Sequence, residues 1–383
     1  MEKCPYAKKC SGCQLTNLGY KEQLKFKQVK CISLLGRYCH VDEIVGMEVP
    51  YNYRNKSQTA VFSRNGIIKK GIYQSAEGKI VPVENCFLES EISNKITKTV
   101  CSMLKNFKIK PYDIKTNTGF LRNILIRHNF TKSEIMVVLV TTEGNFKSKT
   151  AFVNELLRRH KEITTIVWNV NSGKIPITAG KQREILFGNG YITDTLCGLD
   201  FKISSESFYQ INHIQTEKLY ELAKKYADLK GKERVIDAYC GTGTIGLTVA
   251  SNAKKVIGVE VNEKAVADAK QNAVLNKIDN AEFINKDAGE FMSELAEKGT
   301  VVDVCITDPP RAGCSIKFLK SLILLNPKKI VYISCNPETL ARDLNILTEN
   351  GYEVKKITPV DMFPHTRHCE AVCKLLHSDI RKR

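Results

Sequence analysis

"RVIDAYCGTGTIGLTVA", residues 234–250, decides the fold. Val235 to Ala238 form a short apolar strand, Gly241, Gly243 and Gly246 form a G-x-G-x-x-G loop that lets backbone approach a ligand, and a helix starts within the loop. An acidic residue roughly 20 positions beyond such a loop commonly holds a ribose hydroxyl. Glu260, closing "VIGVE", stands 19 residues after Gly241. By itself the loop does not separate a dinucleotide from S-adenosylmethionine. Similar short strands, "KVIGVEV", "AEFINKD", "VVDVCITD" and "KIVYISC", alternate with helical patterns such as "INHIQTEKLYELAKKYADL". That alternation predicts a doubly wound parallel sheet from about residue 201 to 383.

Upstream the rhythm differs. From about Val49 to Leu199, short apolar or alternating runs such as "TAVFSRNGIIKKGIYQ" and "SEIMVVLVTTEGN" are broken by Gly, Asn and Asp, which predicts an antiparallel sheet with a helix or two ("KSKTAFVNELLRRH"). The fold class is therefore α/β, a C-terminal Rossmann-like unit (201–383) preceded by a β-rich α+β unit (1–200). The tail "RKR", 381–383, reads as disordered.

Composition is that of an ordinary globular protein, 43% hydrophobic and 26% charged in 383 residues. "MEKCPYAKKCSGCQ" offers no apolar run for a signal peptide, and no window approaches the roughly 20 apolar residues of a membrane span. The expectation is a cytoplasmic protein without a membrane partner. The net charge of +17 is unevenly placed: residues 1–200 carry 31 Lys+Arg against 17 Asp+Glu, and residues 201–383 carry 27 against 24. The first half is thus expected to meet a polyanion, with Arg54, Lys56, Arg64, Arg122, Arg127, Arg158 and Arg159 as candidates.

Two strand ends carry chemistry. "CITDPPRAGCS" stops a strand at Asp308 with two prolines, a rigid rim whose carboxylate faces the cleft of an open α/β sheet. Capping the next helix is the plainer role for Asp308. "IVYISCNPETLARDL" stops a strand at Cys335, because Asn336 and Pro337 end it and a helix begins. A thiol on that rim can be a nucleophile or a strand terminus. Of the 14 cysteines, Cys4, Cys10 and Cys13 have the spacing C-x5-C-x2-C, with Cys86 far downstream in "VPVENCFLES". Three clustered thiols and one remote thiol suit tetrahedral zinc or an iron–sulfur cluster, and spacing does not choose between them.

Taken in order, "ESFYQIN", "DAYCGTGTIGL", "GVEVNEKAVADAKQNAVLN", "DPPRAG", "YISCNPETLARDL" and "VDMFPHTRHCEAV" resemble the RNA uracil-5-methyltransferase family, which makes 5-methyluridine with S-adenosyl-L-methionine. The resemblance runs through the whole second half. It implies that Gln210, Tyr239, Gly241, Glu260 and Asp308 hold the cofactor, with Asp287 in "NKDA" near the adenine. It also implies that Cys335 adds to uracil C6 and that Glu370 is the base. Uracil C5 is a poor nucleophile until a thiolate at C6 turns the ring into an enolate, and the proton left on C5 afterwards must be removed.

The four-cysteine pattern is similar to the [4Fe-4S] site of the ribosomal branch, which the tRNA branch lacks, so 23S ribosomal RNA is the expected partner of an expected monomer. Many relatives begin with a small β-barrel RNA-binding domain, for which no room precedes Cys4. Part of the stretch around 15–45 is expected to fold back on the catalytic unit. Rival readings are an RNA cytosine-5 methyltransferase, uridine methylation of tRNA, and a non-catalytic RNA-binding assembly factor. Against the first, no acid in the Asp-Pro-Pro segment is placed to protonate cytosine N3.

Overall fold

The computed structural model describes residues 4–74, 79–173, 180 and 182–378. The tail at 381–383 lies outside the described residues.

The chain opens with helix α1 (Tyr20–Leu35) and then builds a sheet from β1 (Lys56–Arg64), β2 (Ile67–Tyr73), β3 (Ile80–Pro82), β4 (Leu121–His128), β5 (Ile135–Thr141), β6 (Ile163–Val170) and β7 (Gln182–Phe187). Their order is β3-β2-β1-β4-β5-β6-β7. Helices α2 (Glu91–Met103) and α3 (Lys149–Arg159) cover one face. There Ile96, Val100, Phe152 and Leu156 meet Ile124, Ile126, Val137 and Ile166 in one apolar cluster. The sheet departs from the antiparallel expectation at one place: β5 and β6 run parallel, with Val137 beside Ile166. The cause is α3, a crossover long enough to return the chain in the same direction.

A two-residue hairpin, β8 (Tyr191–Leu196) and β9 (Leu199–Ser204), leads into the second half. Its turn residues Cys197 and Gly198 both have positive φ, 51° and 79°, the backbone of a type I′ turn that matches strand twist.

The second half runs α4 (His213–Ala227), β10 (Arg234–Ala238), α5 (Thr244–Ala250), β11 (Lys255–Glu260), α6 (Glu263–Leu275), β12 (Ala281–Asn285), α7 (Ala288–Glu297), β13 (Val304–Thr307), α8 (Ile316–Leu325), β14 (Lys329–Ser334), α9 (Pro337–Glu349), β15 (Tyr352–Val360) and β16 (Glu370–His377). The sheet order is β12-β11-β10-β13-β14-β16-β15. β10 to β14 are parallel, and the central strands β10, β13 and β14 are buried on both faces, as βαβ crossovers require. The strand order reverses between β10 and β13, and ligands bind outside the carboxyl ends of strands at such a switch point. β16 and β15 then close the edge antiparallel, a pair that the strand rhythm did not announce.

Residues 20–45 lie on this second sheet. Asp42 N donates to Ile357 O at 2.8 Å and Val45 N to Pro359 O at 2.9 Å, extending the β15 edge. On α1, Tyr38 OH just past its end reaches Ala341 O of α9 at 2.7 Å. The hairpin also packs here, since the Asn276 and Asn272 side-chain oxygens accept from Asp200 N and Lys202 N at 2.8 and 2.9 Å.

Candidate active site

Register alone aligns the candidate residues along one rim. β10 and β11 pair Ala238 with Val259, so the next residues, Tyr239 and Glu260, are neighbours. β10 and β13 pair Ala238 with Thr307, which sets Asp308 on the other side of Tyr239. β14 and β16 are antiparallel with Ser334 opposite Ala371. One step further along that ladder, Cys335 comes opposite Glu370.

At the cofactor end, Glu260 spans the loop: its carboxylate accepts from Gly241 N at 3.2 Å and Asn262 N at 2.8 Å. Tyr239 leaves the strand at φ 62°, a left-handed backbone uncommon for a residue with a Cβ, and its ring lies 5.1 Å from that of Phe318 at a tilt of 46°. Gly241 also has positive φ, and the space its missing Cβ would occupy is open. At Gly243, in contrast, a Cβ would meet the Phe283 ring at 2.8 Å. Gly243 therefore serves packing, whereas Gly241 leaves room for a ligand. Gly246 N donates to Asp237 Oδ2 at 2.7 Å, and burial pushes the Asp237 carboxyl up to about 7. This buried clamp under the loop was not singled out from sequence.

Gln210 lies between β9 and α4, with its carbonyl held by Asn55 Nδ2 at 2.8 Å, so the first half is stitched to the cofactor end. Asp287 is exposed and caps α7, accepting from Glu290 N at 3.0 Å. Asp308 does not cap α8; Ser315 does, accepting from Phe318 N at 3.1 Å. The carboxylate of Asp308 is thus left to the rim, where burial raises it to about 7.

Cys335 is half-buried and directly precedes Asn336, whose side chain caps α9 by accepting from Glu338 N at 3.2 Å. Pro337 fills the first helical position. The positive end of a 13-residue helix therefore lies beside the sulfur. Burial, with the charges of Glu370 and Asp308, pushes the thiol up to about 11, opposed by the Arg311 guanidinium. Burial and the neighbouring Asp308 push the Glu370 carboxyl up to about 8, and Glu370 Oε2 is buried with no hydrogen-bond partner.

The loop after Asp308 is locked onto α9. Asp343, fully buried, accepts from Cys314 N at 2.8 Å and Tyr332 OH at 2.6 Å. Gly313 has φ 78°, and a Cβ there would strike Arg342 and Asp343 at 2.6 and 2.8 Å. That lock delivers Arg311 to the mouth, where Nη2 donates to His368 Nδ1 at 2.8 Å. Arg311 has a sequence signal in hindsight, a cation directly after Asp-Pro-Pro.

These thiol and carboxyl values give a prediction. In the free protein, alkylation of Cys335 by iodoacetamide should rise about tenfold per pH unit through pH 9 with no plateau below pH 10, since only the thiolate reacts. Glu370→Gln should shift the curve to lower pH by removing one repelling charge. A plateau near pH 8.5 in the unaltered protein would contradict the described environment.

Cys4, Cys10, Cys13 and Cys86 line one cavity of about 160 Å³, with Tyr51 and His365 on its wall. Among the described residues no group of three or more His, Cys, Asp or Glu is disposed to hold a single metal ion.

The basic candidates do not all reach the surface. Arg122 is buried, with Nη1 donating to Asn171 O and Gly173 O at 2.5 and 2.8 Å and its guanidinium 4.5 Å over the Tyr112 ring. Arg127 is buried and donates to Ser207 O. Arg158 and Arg159 both pair with Glu155. Arg64 is exposed, and Arg54 and Lys56 are half-buried. Lys56 is pushed down to about 8 by burial and by Arg127, which stands opposite it across the β1–β4 pair, and Arg54. Arg122 and Arg127 are therefore internal struts and not phosphate contacts.

No helix among the described residues is long and apolar enough to cross a membrane. The model of the tRNA (uracil-5-)-methyltransferase family matches residues 19–378. Two proteins described as uncharacterized RNA methyltransferases are similar over nearly the whole chain. The one from Clostridium tetani is 41% identical over 99% of this chain and 84% of its own length. The one from Clostridium acetobutylicum is 43% identical over 98% and 83%. Among solved structures, the Pyrococcus abyssi tRNA (uracil-54, C5)-methyltransferase in complex with S-adenosyl-L-homocysteine superposes with a TM-score of 0.80 at 31% identity, covering 96% of this chain and 86% of that one. The chain belongs to the tRNA (uracil-5-)-methyltransferase family, S-adenosyl-L-methionine-dependent enzymes that methylate RNA uracil at C5.

Proposed function

We propose that this enzyme methylates C5 of a uridine in 23S ribosomal RNA through a covalent adduct at Cys335, as a cytoplasmic monomer carrying a four-cysteine iron–sulfur site. The observation that carries the mechanism is the ladder that sets Cys335 opposite Glu370 on the rim holding Asp308, Tyr239 and Glu260. S-adenosyl-L-methionine, when bound, supplies the methyl group. Gly241 would give it room, Gln210, Tyr239, Glu260 and Asp308 would hold it, and Asp287 would lie near the adenine.

The Cys335 thiolate adds to C6 of the uracil, and the π electrons of the C5–C6 bond move toward O4 to give the enolate. The α9 N-terminus and Arg311 oppose the burial and the carboxyl charges that hold the thiol protonated. C5 then bonds to the methyl carbon as its bond to the sulfonium sulfur breaks, leaving the neutral thioether S-adenosyl-L-homocysteine. Glu370 takes the proton left on C5, and its electron pair re-forms the C5–C6 bond as the Cys335 sulfur leaves C6. Once ionised, near pH 8 and above, a buried carboxyl raised to about 8 is a stronger base than an ordinary one. The chain divides into an RNA-binding unit, 1–200, and a methyltransferase unit, 201–383, with 15–45 packed on the latter. Arg54, Lys56, Arg64, Arg158 and Arg159 remain as candidate phosphate contacts of the first unit.

Cys4, Cys10, Cys13 and Cys86 would hold a [4Fe-4S] cluster, and what supports the fit is that all four thiols line one cavity. Anaerobically purified protein should then be brown, with about four irons per chain. A colourless protein with one zinc per chain would overturn this assignment. Likeness to the P. abyssi tRNA enzyme favours a second reading, a tRNA substrate. Mapping 5-methyluridine in ribosomal and transfer RNA from cells with and without the protein decides: loss from 23S RNA supports the proposal, whereas loss from tRNA alone moves the substrate.

A further inference from the structure

Helix α1 is built inside out. Its inward stripe at four-residue spacing is Gln23, Lys27, Cys31 and Leu35, all buried, while Phe26, Val29 and Ile32 are 42%, 58% and 49% exposed. A helix docked for stability alone would bury the apolar stripe. The polar stripe instead meets, residue by residue, the nine-residue connection 361–369 between β15 and β16. Gln23 accepts from His365 N at 2.9 Å through Oε1, and its Nε2 lies 3.2 Å from His365 Nδ1. Lys27 Nζ donates to Asp361 at 2.5 Å and to Phe363 O at 3.0 Å, and both charged side chains are fully buried. Cys31 Sγ lies 3.7 Å from Sγ of Cys369, the residue before Glu370.

Other contacts complete the grip. Tyr20 OH donates to Asp361 Oδ2 at 2.9 Å, and His365, at φ 69°, makes a 2.9 Å contact from Nε2 to Pro50 O. From the opposite side, Gln215 and Asn212 of the α4 start donate to Asp361 O and Met362 O, both at 3.0 Å. A buried ion pair is weak evidence for stability, because desolvating both charges offsets their attraction; its attested use is to fix one geometry among several. What this geometry fixes is the hairpin end at Glu370. That residue is the last rung of the β15–β16 ladder, opposite Val360, where a strand frays unless its connection is held.

We propose that the Gln23–Lys27–Cys31 stripe of α1 is a positioning device for Glu370, holding the connection 361–369 so that the carboxylate meets the proton on C5 after methyl transfer. The proposal rests on Glu370 being the base of the reaction described above. These residues touch neither uracil nor cofactor; they act through the connection. A displacement of about 1 Å at a reacting group lowers rate by up to roughly 10²-fold. The loss should fall on proton removal and spare addition and methyl transfer.

The test compares Gln23→Leu, and Lys27→Met combined with Asp361→Asn so that no lone charge is buried, with Glu370→Gln as reference. Each is given RNA substrate and cofactor labelled in the methyl group, and RNA affinity, the rate of label transfer in one turnover, and label in enzyme–RNA complex surviving denaturation are measured. The expected result is affinity and transfer within about threefold of the unaltered enzyme, with decay of the labelled complex slowed about 10- to 100-fold. A folded variant that slows transfer and decay equally, or turns over without accumulating labelled complex, overturns the proposal. So does failure of both variants to fold, which would make the stripe a folding element. If Glu370→Gln itself gives no labelled complex, the assignment of the base falls first, and the positioning proposal with it.

Discussion

Cys335→Ala should fold as the unaltered protein does and lose methylation by roughly 10⁴-fold or more, the scale seen when a covalent nucleophile is removed. Folding is spared because the sulfur is half-buried at a strand end and caps nothing. Ser334 Oγ still bonds Asn336 O at 3.1 Å, and Asn336 still caps α9. Chemistry is lost because no other nucleophile stands opposite Glu370, and C5 without the enolate does not attack a methyl carbon. Methyl incorporation into RNA and thermal unfolding, measured on the same preparation, check both halves. Activity above about 1% would show that addition to C6 is not obligatory or is made by another group.

Glu370→Gln should lower turnover by roughly 10²- to 10⁴-fold, the usual share of a positioned general base. It should nevertheless transfer about one methyl group per enzyme, because addition and methylation precede the proton step. The substitution keeps the shape of the side chain in its buried site. The pH dependence of stability should change as well. Between the ordinary carboxylate value and about 8 the folded chain holds a proton that the unfolded chain has released, so the contribution of Glu370 to stability falls as pH rises through that window. Glu370→Gln should lack that decline, and chemical denaturation at pH 5, 7 and 9 reads it directly. Normal turnover by Glu370→Gln would assign the base elsewhere.

Where local pattern carried the information, the sequence was legible. The loop at Gly241 to Gly246 and the five parallel strands follow from short-range rhythm, and Glu260 falls where the loop predicts it. The pairing of Cys335 with Glu370 does not, because it depends on the register of β14 against β16, set by segments 35 residues apart; Glu370 was reached only through family resemblance. Charge counting overreached at Arg122 and Arg127, since a cation in a strand of alternating residues reads as solvent-facing until burial is known. In α1, the buried face carries Gln23 and Lys27 beside Cys31 and Leu35, because those two polar side chains answer the hydrogen-bonding needs of the 361–369 connection, which sequence spacing does not reveal. Asp287 carried a readable cap signal, with Glu290 three residues on, that the cofactor reading passed over.

The central claim is that Cys335 carries the RNA while methyl transfer occurs. RNA containing 5-fluorouridine tests it without any mutation, because after addition and methylation C5 bears fluorine where the base needs a proton, and the adduct cannot resolve. Digestion of the trapped complex and mass spectrometry should find the peptide containing Cys335 carrying one fluorouridine nucleotide plus one methyl group, and only when S-adenosyl-L-methionine is present. Absence of any adduct, or the same mass on a different residue, would contradict the account.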